Sequence, residues 1–76
     1  MTRDEIKVCY GPGWHALIDE TIDKIEAVYD RAEIVEAKKV GNAMRLMVGI
    51  LPVSYAQKIW DITYEAMKKS EKIEEQ

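Results

Sequence analysis

The residue pattern points to an α+β fold in the order (β)αββα, a small antiparallel sheet with two helices packed on one of its faces. Three features carry that reading. A helical apolar stripe starts at Trp14, two alternating runs over residues 33–51 meet at Gly41-Asn42, and a second helical stripe starts near Ser54. At 76 residues these elements make one domain, close to the lower size limit for a self-sufficient core.

Ile6, Val8 and Tyr10 alternate with Lys7 and Cys9, the period of a short strand over residues 5–10. Gly11-Pro12-Gly13 ends it, and Pro12 suits a first helical turn, where its missing N–H has no partner to lose. Apolar residues then fall at 14, 17, 18, 22, 25, 28 and 29, which predicts a helix over 13–31. Trp14, Leu17, Ile18, Ile22, Ile25 and Val28 face inward on it. Each large side chain fully buried contributes about 1.5–3 kcal/mol, so this stripe is the main reason for the helix to form.

Residues 33–40 and 43–51 read as a β-hairpin. Met44, Leu46, Val48 and Ile50 share its buried face with Val35 and Ala37, leaving Glu36, Lys38, Arg45 and Met47 outward. Gly41-Asn42 supplies the residue types that tolerate a positive φ in a tight turn. Pro52 stops the second strand, and Ser54 with Gln57 forms a capping-box signature for a helix over 54–72. Ala56, Ile59, Trp60, Thr63, Ala66, Met67 and Ser70 make its inward stripe, widened by Tyr55, Ile62 and Tyr64. A strand at 5–10 beside the hairpin calls for a right-handed crossover through the first helix.

With 47% hydrophobic and 33% charged residues, the chain lies well away from disordered compositions. No apolar run approaches the ~20 residues that span a bilayer, and the first residues lack the layout of a signal peptide. Cys9 is the single cysteine, so neither an internal disulfide nor a multi-cysteine zinc site is available. The expectation is a cytoplasmic protein with no membrane contact.

Charge is unevenly spread. Residues 1–36 hold nine acids against four bases, whereas residues 37–60 hold Lys38, Lys39, Arg45 and Lys58 and no acid. Two candidate surfaces follow. Asp19, Asp23, Glu26 and Asp30 recur at helical spacing, an acidic ridge suited to binding a basic groove on a partner protein. Lys38, Lys39, Arg45 and Lys58 are the alternative, a phosphate contact for nucleic acid on a two-stranded ribbon. Against that alternative stand the net charge of −3 and strands without paired aromatics to stack bases.

No set of residues assembles into a catalytic site. His15 and Asp19 lie one helical turn apart, a spacing that can chelate a metal, but two ligands alone are a weak signal. Cys9 and His15 lack a third group to orient the imidazole and a donor set for an oxyanion. Gly11-Pro12-Gly13-Trp14 lacks the Lys-Ser/Thr ending of a phosphate loop and reads as a helix start with a core tryptophan. The expectation is a protein that is not an enzyme and takes no cofactor and no metal.

The run Cys9-Tyr10-Gly11-Pro12-Gly13-Trp14-His15-Ala16-Leu17-Ile18 resembles the opening of a family of small uncharacterised phage and prophage proteins. Those begin with a Cys-Gly-x-Gly-Trp element and a short amphipathic helix. They continue into a Lys-x-Lys-Phe-Gly-Gly-Leu-Arg-Phe hairpin, similar to Ala37-Lys38-Lys39-Val40-Gly41-Asn42-Ala43-Met44-Arg45-Leu46 here. Their second helix, rich in Glu and Ala, ends near a Ser, as residues 64–70 do. The hairpin here is one residue longer at the turn, Ala37 replaces the first family lysine, and no Cys-x-x-Cys element follows Ser70. A metal-knuckle role is therefore not carried over.

The resemblance implies a phage setting and an α+β fold, and no activity. The functional expectation is a non-enzymatic phage or prophage interaction protein in the cytoplasm of a host bacterial cell. It binds and inhibits a host protein complex, such as a nucleic-acid-handling defence system, in the manner of an anti-CRISPR. A homodimer is also expected, because a domain this small with two Trp and four Tyr leaves apolar surface to cover.

Overall fold

Thr2 opens the fold with a capping box. Its hydroxyl accepts the Glu5 N–H while the Glu5 carboxylate accepts the Thr2 N–H, in the computed structural model, which describes residues 1–76. The element that follows is a helix, α1 (Arg3–Val8), where alternation had suggested a strand. Ile6 alone is buried on it and Val8 is 86% exposed, so the period-2 pattern does not describe a buried face. There is accordingly no third strand and no crossover, and the order is ααββα.

Pro12–Trp14 form a single 3-10 turn that leads into α2 (His15–Val28), with Pro12 at its first position as its missing N–H allows. Trp14, Leu17, Ile18, Ile22 and Ile25 are buried as their spacing predicts. The helix ends at Val28, three residues earlier than periodicity suggests, because Tyr29 adopts an extended conformation.

β1 (Ile34–Val40) and β2 (Ala43–Val48) pair antiparallel around Gly41-Asn42. Gly41 has φ 61° and is the only residue with a positive φ. A positive φ at the first central residue alone is the type II′ pattern, whose twist matches that of the strands. Ala37 faces Leu46 in register, but the register shifts between Ile34 and Glu36. Val35 is the extra residue of this bulge: it is 56% exposed, and Ile34 takes the core place expected of it. β2 stops at Val48, so Ile50 is fully exposed and does not extend the buried row.

The third helix, α3 (Val53–Ser70), begins one residue before the expected position. Pro52 occupies its N-cap, and no side chain caps it, so Ser54 lies within the first turn and Gln57 instead donates to Asp61. Ala56, Ile59, Ala66 and Ser70 are buried, whereas Trp60 and Tyr64 are 56% and 55% exposed, contrary to the inward reading. A two-stranded sheet is too narrow to cover the whole apolar arc of α3. One core joins all elements: Ile6, Trp14, Ile18, Ile22, Met44, Leu46 and Ile59 belong to a single cluster of 12 buried residues.

Candidate functional site

Placing residues 3–8 in a helix sets two cations against the acidic side of α2. Arg3 Nη1 lies 3.1 Å from Asp19 Oδ1, Arg3 Nη2 contacts Asp23 and lies 3.6 Å from Glu26 Oε1, and Lys7 Nζ lies 2.8 Å from Asp19 Oδ2. One guanidinium thus gathers three of the four ridge carboxylates. Lys7 and Arg3 hold the Asp19 carboxyl below its usual range, and the hydrogen bonds to Asp23 and Asp19 raise the affinity of Arg3 for its proton. Asp23 and Glu26 remain 68% and 53% exposed, so the row stays reachable from solvent. Asp30 lies beyond the end of α2, exposed and outside the row.

Glu20 is the fourth acidic residue of α2 and stands apart from the row on Arg3. Its Oε1 lies 3.2 Å from both Lys24 and Lys69 Nζ, and these two ammoniums lower its pKa. Arg3 and Lys7 were missed as partners of the ridge because a strand at 5–10 places them elsewhere. The readable signal was Thr2 with Glu5 three residues later.

The basic hairpin is partly engaged within the chain. Lys38 and Arg45 face each other across the strands, and Lys38 Nζ lies 3.1 Å from Glu36 Oε1. Lys39 Nζ lies 2.6 Å from Glu75 Oε1 and 5.8 Å from the centroid of the Trp14 ring. Arg45 and Lys58 are exposed, on β2 and α3 respectively. Beneath the hairpin the Tyr10 hydroxyl donates to the Lys38 carbonyl at 2.5 Å, with the Arg45 carbonyl 3.3 Å away. Burial pushes the Tyr10 phenol up to about 12.

The residues weighed for chemistry are turned to structural tasks. His15 Nε2 faces the carbonyls of Lys7 and Tyr10 at 3.0 and 3.3 Å, tying α2 to the end of α1. Cys9 Sγ donates to the Glu5 carbonyl, and Asp19 is taken by Arg3 and Lys7. No three of His, Cys, Asp and Glu converge as a metal site. No helix is long and apolar enough to cross a membrane.

A third surface escaped sequence reading. Between β2 and α3 runs an open groove of about 600 Å³ lined by Val40, Met47, Trp60, Tyr64 and Met67, with Arg45 on the strand side and Asp61 on the helix side. Trp60 and Tyr64 line it and remain more than half exposed. No family model matches this chain, and no curated protein or solved structure compared with it matches either.

Proposed function

We propose that this chain is a non-enzymatic interaction protein of a phage or prophage, acting in the host cytoplasm by binding and inhibiting a host protein complex, such as a nucleic-acid-handling defence system. The observation that carries the choice of surface is the carboxylate row Asp19, Asp23 and Glu26, gathered on Arg3 and still open to solvent. Side chains already held in place lose less rotamer freedom when a partner docks. α1 and α2 together carry six acids against three bases, so the face stays net negative and steers a basic groove toward it. The rival use of Lys38, Lys39, Arg45 and Lys58 on nucleic acid is weaker, since the chain carries a net charge of −3 and its strands have no paired aromatics to stack bases. The phage setting rests on the family resemblance.

Affinity capture from nuclease-treated host lysate, with wild type beside Asp23→Lys/Glu26→Lys, tests the reading. A complex held by wild type and lost on charge reversal supports it. Capture unchanged by the reversal removes the acidic face from the mechanism. A gel shift with a steep salt slope, abolished in Lys38→Ala/Lys39→Ala/Arg45→Ala, favours the nucleic-acid alternative.

The groove between β2 and α3 supports the homodimer. Arg45 and Asp61 stand on its opposite sides with no ion pair inside the chain. A two-fold axis across the groove brings Arg45 of one copy toward Asp61 of the other and repeats the pairing.

A further inference from the structure

Residues 73–76 lie across the turn Gly11–Trp14 as a peptide lies in a seat. Trp14 Nε1 donates to the Ile73 carbonyl at 2.8 Å, and the Gly13 N–H donates to the Glu75 carbonyl. The Gly11 N–H donates to Glu75 Oε2 at 2.8 Å, and Lys39 Nζ donates to Glu75 Oε1 at 2.6 Å. Four donors, three from the turn and one from β1, therefore read two main-chain carbonyls and both oxygens of one carboxylate.

The turn is shaped for that approach. A Cβ on Gly13 would run into the Glu74 carbonyl oxygen, and one on Gly11 would lie 2.5 Å from the Glu75 carbonyl oxygen. Only glycine lets a second main chain come this close. The occupant adds little to the apolar core. It follows the end of α3, Ile73 is 41% exposed, and none of residues 71–76 belongs to the core cluster. Polar contacts hold it, and a segment outside the apolar core can open without unfolding the rest of the domain. An open pocket of about 390 Å³ lies between this segment and Trp14, Lys39 and Asn42, so the segment does not fill the space against which it lies.

We propose that the Gly11–Trp14 turn and Lys39 form a binding site for an extended, glutamate-bearing peptide of a partner protein, and that residues 73–76 are its tethered occupant, displaced when that peptide binds. Tethering keeps the occupant at an effective concentration on the order of millimolar, so a free peptide competes poorly until the tether's grip is weakened. This site lies apart from the acidic row and does not depend on it.

The test uses the 76-residue chain and a fluorescein-labelled peptide with the sequence of residues 71–76. Binding is read by anisotropy and by the NMR shifts of the Gly11 and Gly13 amides and the Trp14 indole N–H. Glu75→Gln removes the charge from the tethered occupant and leaves the seat intact, so it captures the peptide at least about tenfold more tightly than wild type. Gly13→Ala releases the occupant but blocks the seat, and it captures no peptide. The proposal is overturned if E75Q binds no more tightly than wild type, or if G13A binds as well as E75Q. The E75Q arm decides alone if G13A is unstable, because Glu75 lies outside the core cluster.

Discussion

The Met44 backbone N–H donates to Ser70 Oγ at 2.8 Å, and this bond ties β2 to the last turn of α3 in the interior. Ser70 is completely buried, and its hydroxyl donates in turn to the Met67 carbonyl at 2.6 Å. Ser70→Ala leaves the Met44 N–H buried without a partner, which costs about 1–3 kcal/mol. In a domain of this size each kcal/mol lowers Tm by roughly 4–8 °C. Urea unfolding gives the loss, and faster hydrogen exchange at Met44 locates it.

Arg3→Ala removes the one cation shared by Asp19, Asp23 and Glu26; Lys7 still holds Asp19, but Asp23 and Glu26 lose their ion pair beside it. The variant has a lower Tm than wild type at low salt. The gap narrows as salt rises, since salt screens the new repulsion in the variant and weakens the ion pairs of wild type. Arg3→Lys recovers only part of the loss, because one ammonium lacks the planar fork that reaches several carboxylates. Thermal melts at two salt concentrations check both statements, and a gap that does not change with salt refutes them.

Much of this architecture was legible in local pattern. The Trp14–Ile25 stripe, the Gly41-Asn42 turn and the length of α3 follow from periods of 3.6 and 2 and from one residue with a positive φ. The failures have specific causes. α1 has six residues, too few for periodicity to speak, and its real signal was the Thr2–Glu5 box. The bulge at Val35 shifts the pattern by one residue, which strict alternation cannot anticipate. Trp60 and Tyr64 have helical spacing, but whether they are covered depends on how wide a sheet lies opposite. The carboxylate row was visible at its own positions. Arg3 and the seating of Glu75 on Gly11 join residues 16 to 64 apart in sequence, and no local pattern encodes such meetings.

Trp60→Lys places a charge in the groove between β2 and α3. If two copies meet there, the weight-average mass measured by light scattering rises with concentration for wild type and stays at the monomer value for the variant. Because Trp60 is more than half exposed within one chain, monomer stability changes by only about 0.5 kcal/mol. Exchanging the charges, Arg45→Glu with Asp61→Arg, restores association that either single change weakens. A wild type that remains monomeric throughout refutes this use of the groove.

Tyr10 gives the fold an alkaline limit. Its phenol is pushed up to about 12 in the folded chain, against an ordinary value of 10.0. Between these values the unfolded chain loses the proton while the folded chain keeps it, so stability falls as pH rises from about 10 toward 12. Tyr10→Phe loses the hydroxyl's bond to the Lys38 carbonyl and is less stable at neutral pH. Its Tm curve above pH 10 is flatter than that of wild type, and absorbance at 295 nm lacks the step near pH 12.

At the acid end the sign reverses. Glu5 is held below 4.5 by the Thr2 N–H and hydroxyl, Glu20 by Lys24 and Lys69, and Glu75 by Lys39 and the Gly11 N–H, while Asp19 is held below 3.8 by Lys7 and Arg3. These carboxylates contribute stability that is fully present above about pH 5. As pH falls below the ordinary values, the unfolded chain takes up protons first, and stability is lost down to the depressed values of the folded state. Tm is therefore level from pH 7 to about pH 5 and declines below it. Lys7→Ala, which removes the largest influence on Asp19, makes the decline shallower. The Trp14 indole N–H reports Glu75 separately, shifting as protonation loosens residues 73–76 in the same range. A level Tm down to pH 3 would mean that these contacts do not hold in solution, the Glu75 seat included.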